Sequence, residues 1–139
     1  SMSRRLVLQA IYQWQINQSS LSEIEAQFIS DQDIDICDKL YFQELLRGII
    51  THTEKLDNLY EALLDRSLKK LGLIELAVLR IGAFELSERL DIPYCVAINE
   101  GVELAKWIGA TESYKYINSI LDKIAQRTRH KEIITRRKK

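Results

Sequence analysis

A chain of 139 residues with 46% hydrophobic side chains has the size and apolar content of one soluble domain, able to bury a core without disulfide or metal staples. One proline and five glycines are too few for the turns of a sandwich or barrel, so the composition points to an all-α fold. The formal charge of zero hides an asymmetry: from Arg127 onward there are seven basic residues against one acid, leaving thirteen basic and nineteen acidic residues before them.

An acidic body with a basic end suits partners of both signs. Nucleic acid is one candidate for the end, and a disordered, solubilising terminus is the other reading. No apolar run reaches the roughly 18 residues of a membrane span and no charged-then-apolar leader opens the chain, so a cytoplasmic protein is expected. Cys37 and Cys95 lie far apart with no metal-ligand spacing around them, and only His52 and His130 are available as further ligands. They read as small buried thiols in a reducing compartment, with no metal or cofactor expected.

In chain order, Arg4 and Arg5 open a helix to about Asn17, with Val7, Ala10, Ile11 and Trp14 as a core-facing stripe that Leu8 and Tyr12 widen. Paired arginines at a terminus can form a phosphate-binding arm, or can simply be surface residues. Ser20 or Ser22 can cap a short helix to about Ser30 that turns Ile24, Phe28 and Leu21 inward. Aspartates 31, 33 and 35 lack the glycine and terminal glutamate of a calcium loop, so Asp33 or Asp35 is assigned to capping the helix that starts near Ile36. That helix carries Leu40, Tyr41, Leu45, Leu46, Ile49 and Ile50. Gly48 with Thr51 or Thr53 marks a break, and the next helix shows Leu56, Leu59, Tyr60, Leu63 and Leu64. Short connections imply antiparallel neighbours.

Residues 67–72, SLKKLG, read as a loop leading into the stretch that organises the rest, Leu73 to Leu86, LIELAVLRIGAFEL. Its apolar side chains fall on every side of a helical cylinder, and a helix apolar all round must be enclosed by others. Gly82 within it permits a close approach by another helix. After it, Glu85 and Arg89 are spaced for an exposed i, i+4 pair. Asp91, Ile92 and Pro93 stop one helix and start the next, in which Ala97, Gly101, Leu104 and Ile108 form a stripe thickened by Ile98, Val102 and Ala105. Gly109 suits a left-handed C-cap. Thr111 then caps a last helix to about Arg127, facing inward with Ile117, Ile120, Leu121 and Ile124. Beside that stripe, Tyr116 is either a base-stacking residue with Lys115 at a phosphate or an edge-of-core tyrosine with a wet hydroxyl.

No glycine-rich phosphate loop, paired-cysteine motif or nucleophile signature occurs in the chain, and Glu100 and Glu103 share a helix without an evident cleft. The pattern favours binding over catalysis.

Four segments, QAIYQWQ, LYFQELLRGI, ELAVLRIGAFEL and DIPYCVAINEGVELAK, occur in the order and spacing that resemble the NusB family of bacterial transcription antitermination factors, from about Leu8 to Lys123. The last segment is the most specific. The resemblance implies about seven helices in two packed bundles around a buried central helix, in one RNA-binding domain over 1–126 followed by a basic tail over 127–139. It implies no enzymatic activity. It also implies binding of single-stranded boxA RNA in ribosomal RNA operon transcripts, together with the small-subunit ribosomal protein NusE, other Nus factors and RNA polymerase. A homodimer through the surface that takes the ribosomal protein is a further arrangement it allows.

Matching positions place Arg4 and Arg5 in an arginine-rich arm, Glu112, Lys115 and Tyr116 on the RNA-facing last helix, and Tyr12 and Glu75 on the protein-partner side. The arm is shorter than the family pattern and the basic tail longer. Two other readings fit less of the sequence: a purely protein-binding helical adaptor, and a recognition domain like those joined to ribosomal RNA methyltransferases.

Overall fold

The computed structural model describes residues 2–31, 36–64, 71–109 and 112–137, and within these every regular element is an α-helix. Eight are formed: α1 (Met2–Asn17), α2 (Leu21–Asp31), α3 (Ile36–Thr51), α4 (Thr53–Glu61), α5 (Leu73–Glu88), α6 (Tyr94–Trp107), α7 (Tyr114–Thr128) and α8 (His130–Arg137). One more helix is present than the resemblance implies, and it lies in the basic end.

Residues 76 to 86 of α5 are all buried, as an all-round apolar helix requires. On one side α5 packs against α1 and α3, which α2 covers; on the other it meets α4, α6 and α7. It is the element common to both bundles. Leu121 of α7 shows how closely they join. A Cβ at Gly82 would lie 2.5 Å from one Leu121 methyl carbon, and a Cβ at Gly101 would lie 2.6 Å from the other. The absence of side chains on α5 and α6 thus makes the slot that Leu121 fills, and Gly82 serves packing.

The helical periodicity is realised in most places. Val7, Ala10, Ile11, Ile24, Phe28, Leu45, Leu46, Ile49, Leu56, Tyr60, Ile117, Ile120 and Ile124 are buried. Ser20 is the residue that caps α2, its hydroxyl accepting from the Glu23 amide at 3.2 Å. Gly109 adopts φ 79°, the left-handed conformation expected after α6.

Other expectations are corrected. Leu40 is 61% exposed, and the buried position of that turn belongs to Phe42. Leu73, at the first turn of the central helix, is 44% exposed. Gly48 lies inside α3 with Phe84 against it, and the helix breaks at His52. Cys95 is half-buried. The capping roles of Asp33, Asp35 and Thr111, most of the 67–72 loop, and the Cys37 side chain fall outside the described residues.

The basic end is anchored to the body. Arg129 is buried and all five of its N–H groups are engaged. They donate to the carbonyls of Leu86, Ile92, Glu85 and Arg89 and to the Glu132 carboxylate at 2.7–3.0 Å. Leu86 lies in the last turn of α5, where carbonyls run out of internal donors, and the Glu85 and Arg89 carbonyls each accept a backbone amide as well, so the arginine adds a C-terminal cap to α5. The other Glu132 oxygen accepts from the Tyr94 amide at 2.8 Å, which caps the start of α6. With Ile133 buried beneath it, α8 clamps the end of α5 to the start of α6. Of the two readings left open for the basic end, a disordered terminus does not describe residues 130–137, which form α8.

Candidate nucleic-acid interface and partner groove

The two arginines of the expected arm have separate fates. Ser3 pins the start of α1 to α3, its hydroxyl donating to the Asp38 carbonyl and carboxylate at 3.1 and 2.9 Å. One residue on, Arg4 turns inward and is 8% exposed. Its Nε lies 3.0 and 3.1 Å from the two carboxylate oxygens of Glu85, and Nη2 lies 2.7 Å from Oε2. Glu100 adds a longer pairing at 3.6 Å. Glu85, read from the sequence as half of an exposed pair with Arg89, is 1% exposed and belongs to Arg4.

Tyr41 completes this cluster by donating its hydroxyl to Glu85. Burial, then the Glu85 charge, pushes its pKa up, so the ring stays a neutral donor. Arg89 pairs elsewhere, with Asp91 and Glu44 at 2.9 Å each. The cluster fastens α1, α3, α5 and α6 together.

Arg5, by contrast, is exposed, and its guanidinium carbon lies 4.8 Å from the centroid of the Trp107 ring at the end of α6. Beside Trp107 in sequence, Lys106 places its ammonium 5.0 Å from the Tyr114 ring at the start of α7. Lys115 is exposed one residue later, Tyr116 is half-buried, and Glu112 is exposed in the turn before. Arg5, Trp107, Lys106, Tyr114, Lys115 and Tyr116 thus alternate cations with aromatic rings across the α1, α6 and α7 ends. Such a surface offers phosphate contacts together with ring faces for bases. Arg5, Lys115 and Tyr116 are candidates from the sequence, and the geometry adds Trp107, Lys106 and Tyr114 to them. The adjacent pairs Lys106–Trp107 and Tyr114–Lys115 are the signal that would have found them.

Trp107 has a second neighbourhood. With Leu8, Tyr12, Ile16, Phe28 and Ile74 it lines an open groove of about 550 Å³ between α1, α2, α5 and α6. Tyr12 is 37% exposed and Trp107 44%, so the rim is apolar and reachable. Gln15 ties the two sides together by donating to the Leu73 carbonyl at 2.7 Å. Glu75 follows Ile74 in the first turn of α5, half-buried, where a carboxylate also suits the helix dipole. Tyr12 therefore lines the groove, whereas Glu75 is not among its lining residues and only follows Ile74 in sequence. Among the described residues there is no cluster of metal-ligating side chains, and no helix is long and apolar enough to cross a membrane.

Two bundles sharing one buried helix, with an apolar groove beside a row of cations and rings, define an all-helical binding scaffold. The same scaffold is seen in Thermotoga maritima NusB, which is 31% identical with a TM-score of 0.81 over 90% of this chain and 89% of that one. It recurs in a NusB crystallised with NusE and double-stranded RNA, at 23% identity and a TM-score of 0.81 over 89% and 93% of the two chains, which shows the shared fold. Residues 1–126 match the model of the NusB family, and the chain belongs to that family. It is 64% identical over 139 residues to the transcription antitermination protein NusB of Marinomonas sp., covering 99% of this chain and 80% of that one. Against the Escherichia coli protein of that name it is 50% identical over 123 residues, 88% of each.

Proposed function

We propose that this chain is a transcription antitermination factor that binds boxA RNA of ribosomal RNA operon transcripts jointly with the ribosomal protein NusE, and that the pair joins the other Nus factors on RNA polymerase in the cytoplasm. The row of cations and rings running from Arg5 to Tyr116 is the observation that carries this reading, and the family membership supports it. Arg5, Lys106 and Lys115 meet phosphates; Tyr116 and Trp107 offer stacking faces; Glu112 accepts from base amino groups. Arg4 acts by holding the helix that presents Arg5. The groove that Tyr12 lines, with Glu75 in the neighbouring first turn of α5, takes the basic ribosomal protein, whose charge complements the acidic body and speeds encounter. Joining the two proteins makes one RNA surface in which each contact raises the effective concentration of the next. No step of this role requires catalysis.

Replacing Lys115 and Tyr116 together by alanine tests the RNA site. Losing one stacked base is worth about 1 to 3 kcal/mol, so boxA affinity should fall at least about fivefold while the far-ultraviolet circular dichroism of the helices is unchanged. Unaltered affinity for boxA, or equal binding of boxA and a scrambled RNA by the wild type with its partner, would overturn the reading.

A further inference from the structure

Residues 127–137 lie beyond the segment that matches the family model, yet they are folded against the body, and they extend one face of α7. Lys115, Ser119, Lys123 and Arg127 are spaced four apart and all are exposed, so they form a single ridge along that helix. The ridge starts in the row of cations and rings. It ends at a concavity of about 470 Å³ that Arg127 shares with Leu90, His130 and Lys131. Ser119 and the half-buried Tyr116 leave the ridge polar and open between the cations.

Among the described residues no acid forms an ion pair with Lys115, Lys123, Arg127 or Lys131. Glu132 is committed to Arg129 and to the Tyr94 amide. Asp122, on the flank, accepts from Gln126 at 3.0 Å. Arg136 is held over the Tyr94 ring at 5.9 Å on the far side of α8, and the buried Arg129 fixes the corner between the helices. Cations mounted on an anchored helix lose less side-chain and backbone freedom on meeting a polyanion than cations on a loose tail would.

From this we infer that Lys123, Arg127 and Lys131 form a phosphate track that carries the RNA strand past the Lys115–Tyr116 site and around the α7–α8 corner. The inference rests on the proposed RNA-binding function and adds to it a second stretch of RNA, held through its backbone and therefore without sequence preference. From Lys115 to Arg127 the ridge rises about 18 Å, at roughly 1.5 Å per residue. At roughly 3.4 Å per nucleotide for a stacked strand, that accommodates about five nucleotides beyond the boxA core.

The test compares a short boxA RNA with the same RNA lengthened by about six nucleotides of mixed sequence at either end, enough to cover the ridge at the stacked spacing. The two proteins are the full wild-type chain and the surface variant Lys123→Gln, Arg127→Gln, Lys131→Gln. Short RNA should bind both proteins equally. One of the lengthened RNAs should bind the wild type more tightly, and the variant should lose that gain. With single-stranded RNA each lost phosphate contact lowers the salt slope by about 0.7, so the three should lower it by about 2. Going from about 200 to about 50 mM salt, the wild type should then gain roughly twentyfold more affinity for the lengthened RNA than the variant does.

The track is overturned if neither extension strengthens binding or if the variant keeps the full gain. If polyglutamate occupies the wild-type surface while extension adds nothing, the ridge belongs to an acidic protein segment instead. Should the wild type fail to bind even the short boxA RNA, with its ribosomal partner present, the function proposed above falls and the track with it.

Discussion

Replacing Arg4 by methionine separates the role its sequence position suggests from the role its surroundings impose. Arg4 looks like the first residue of a phosphate-binding arm, but its side chain is 10% exposed and the Glu85 side chain 1%. Three contacts of 2.7 to 3.1 Å join them. Methionine keeps much of the volume and removes the charge, leaving Glu85 buried with the Tyr41 hydroxyl as its one remaining side-chain donor among the described residues. Breaking a buried pair from one side costs about 3 to 5 kcal/mol, and the remaining tyrosine donor favours the lower end. For a domain of this size about 3 kcal/mol corresponds to a fall in Tm of roughly 9 to 15 °C. A second variant, Arg4→Met with Glu85→Leu, removes both charges and should recover most of that loss, because an apolar pair can replace a buried ion pair at little cost. Urea and thermal unfolding give the stabilities. RNA titrations at several salt concentrations, well below the melting range, then show whether Arg4 touches phosphate. The double variant should keep the wild-type salt slope, whereas Arg5→Ala should lower it by about 0.7. An Arg4→Met protein of wild-type stability with a reduced slope would refute this account and return Arg4 to the RNA.

Three other outcomes are expected. Gly82→Ala should lose about 1 to 3 kcal/mol by overpacking, despite the better helix propensity of alanine, because Gly101 confines Leu121 from the other side; a more stable variant in urea unfolding would contradict the slot. Tyr12→Ala and Glu75→Lys should each weaken NusE binding in calorimetry while leaving the salt slope of RNA binding alone, and unchanged heats would remove the groove from the partner interface. Arg47 hydrogen-bonds Glu25 at 2.6 and 2.7 Å and holds its carboxyl below the usual glutamate range. The folded value lies below the unfolded one, so the stabilisation is present above the ordinary glutamate pKa and lost as the pH falls through the depressed value. Arg47→Ala should therefore flatten the stability loss as the pH falls below the ordinary glutamate range, and parallel curves for the two proteins would count against the pair.

The apolar periodicity made the core legible. A repeat of three and four residues reports one short-range fact, which side of a helix is dry, and α5 announces its burial because no side of it is wet. The same rule misplaced Leu40 because Phe42, two residues on, competes for the inward direction at that turn, and the larger ring is the one enclosed. Buried charges left no comparable trace. Arg4 and Glu85 are 81 residues apart, and Arg80 reaches Asp57 across 23. Periodicity carries no information about which distant acid will neutralise a cation, and for that reason Glu85 reads as exposed in the sequence. Arg129 was hidden for another reason: in a run of basic residues its identity is unexceptional, and only the meeting of α5 and α6 supplies the carbonyls that engage it. The interface was partly legible, since Lys115 and Tyr116 stand side by side. Trp107 and Tyr114 join them only because the α6–α7 connection folds two cation–aromatic pairs onto one surface.

Trp107 is where the two proposed interfaces meet. One neighbour of the ring is the Arg5 guanidinium, and the ring also contributes to the groove with Tyr12. A protein seated in the groove would bury the exposed part of this ring and limit its motion. With the ring fixed, Arg5 is held nearer the geometry in which it meets a phosphate, so RNA then binds a surface whose ordering has partly been accomplished. Linkage makes the effect reciprocal: RNA engaged by Arg5 must favour the partner by the same factor. If both proposed interfaces hold, cooperation between the ribosomal protein and the transcript would have a local physical basis in one shared indole, without rearrangement of the helices beneath it.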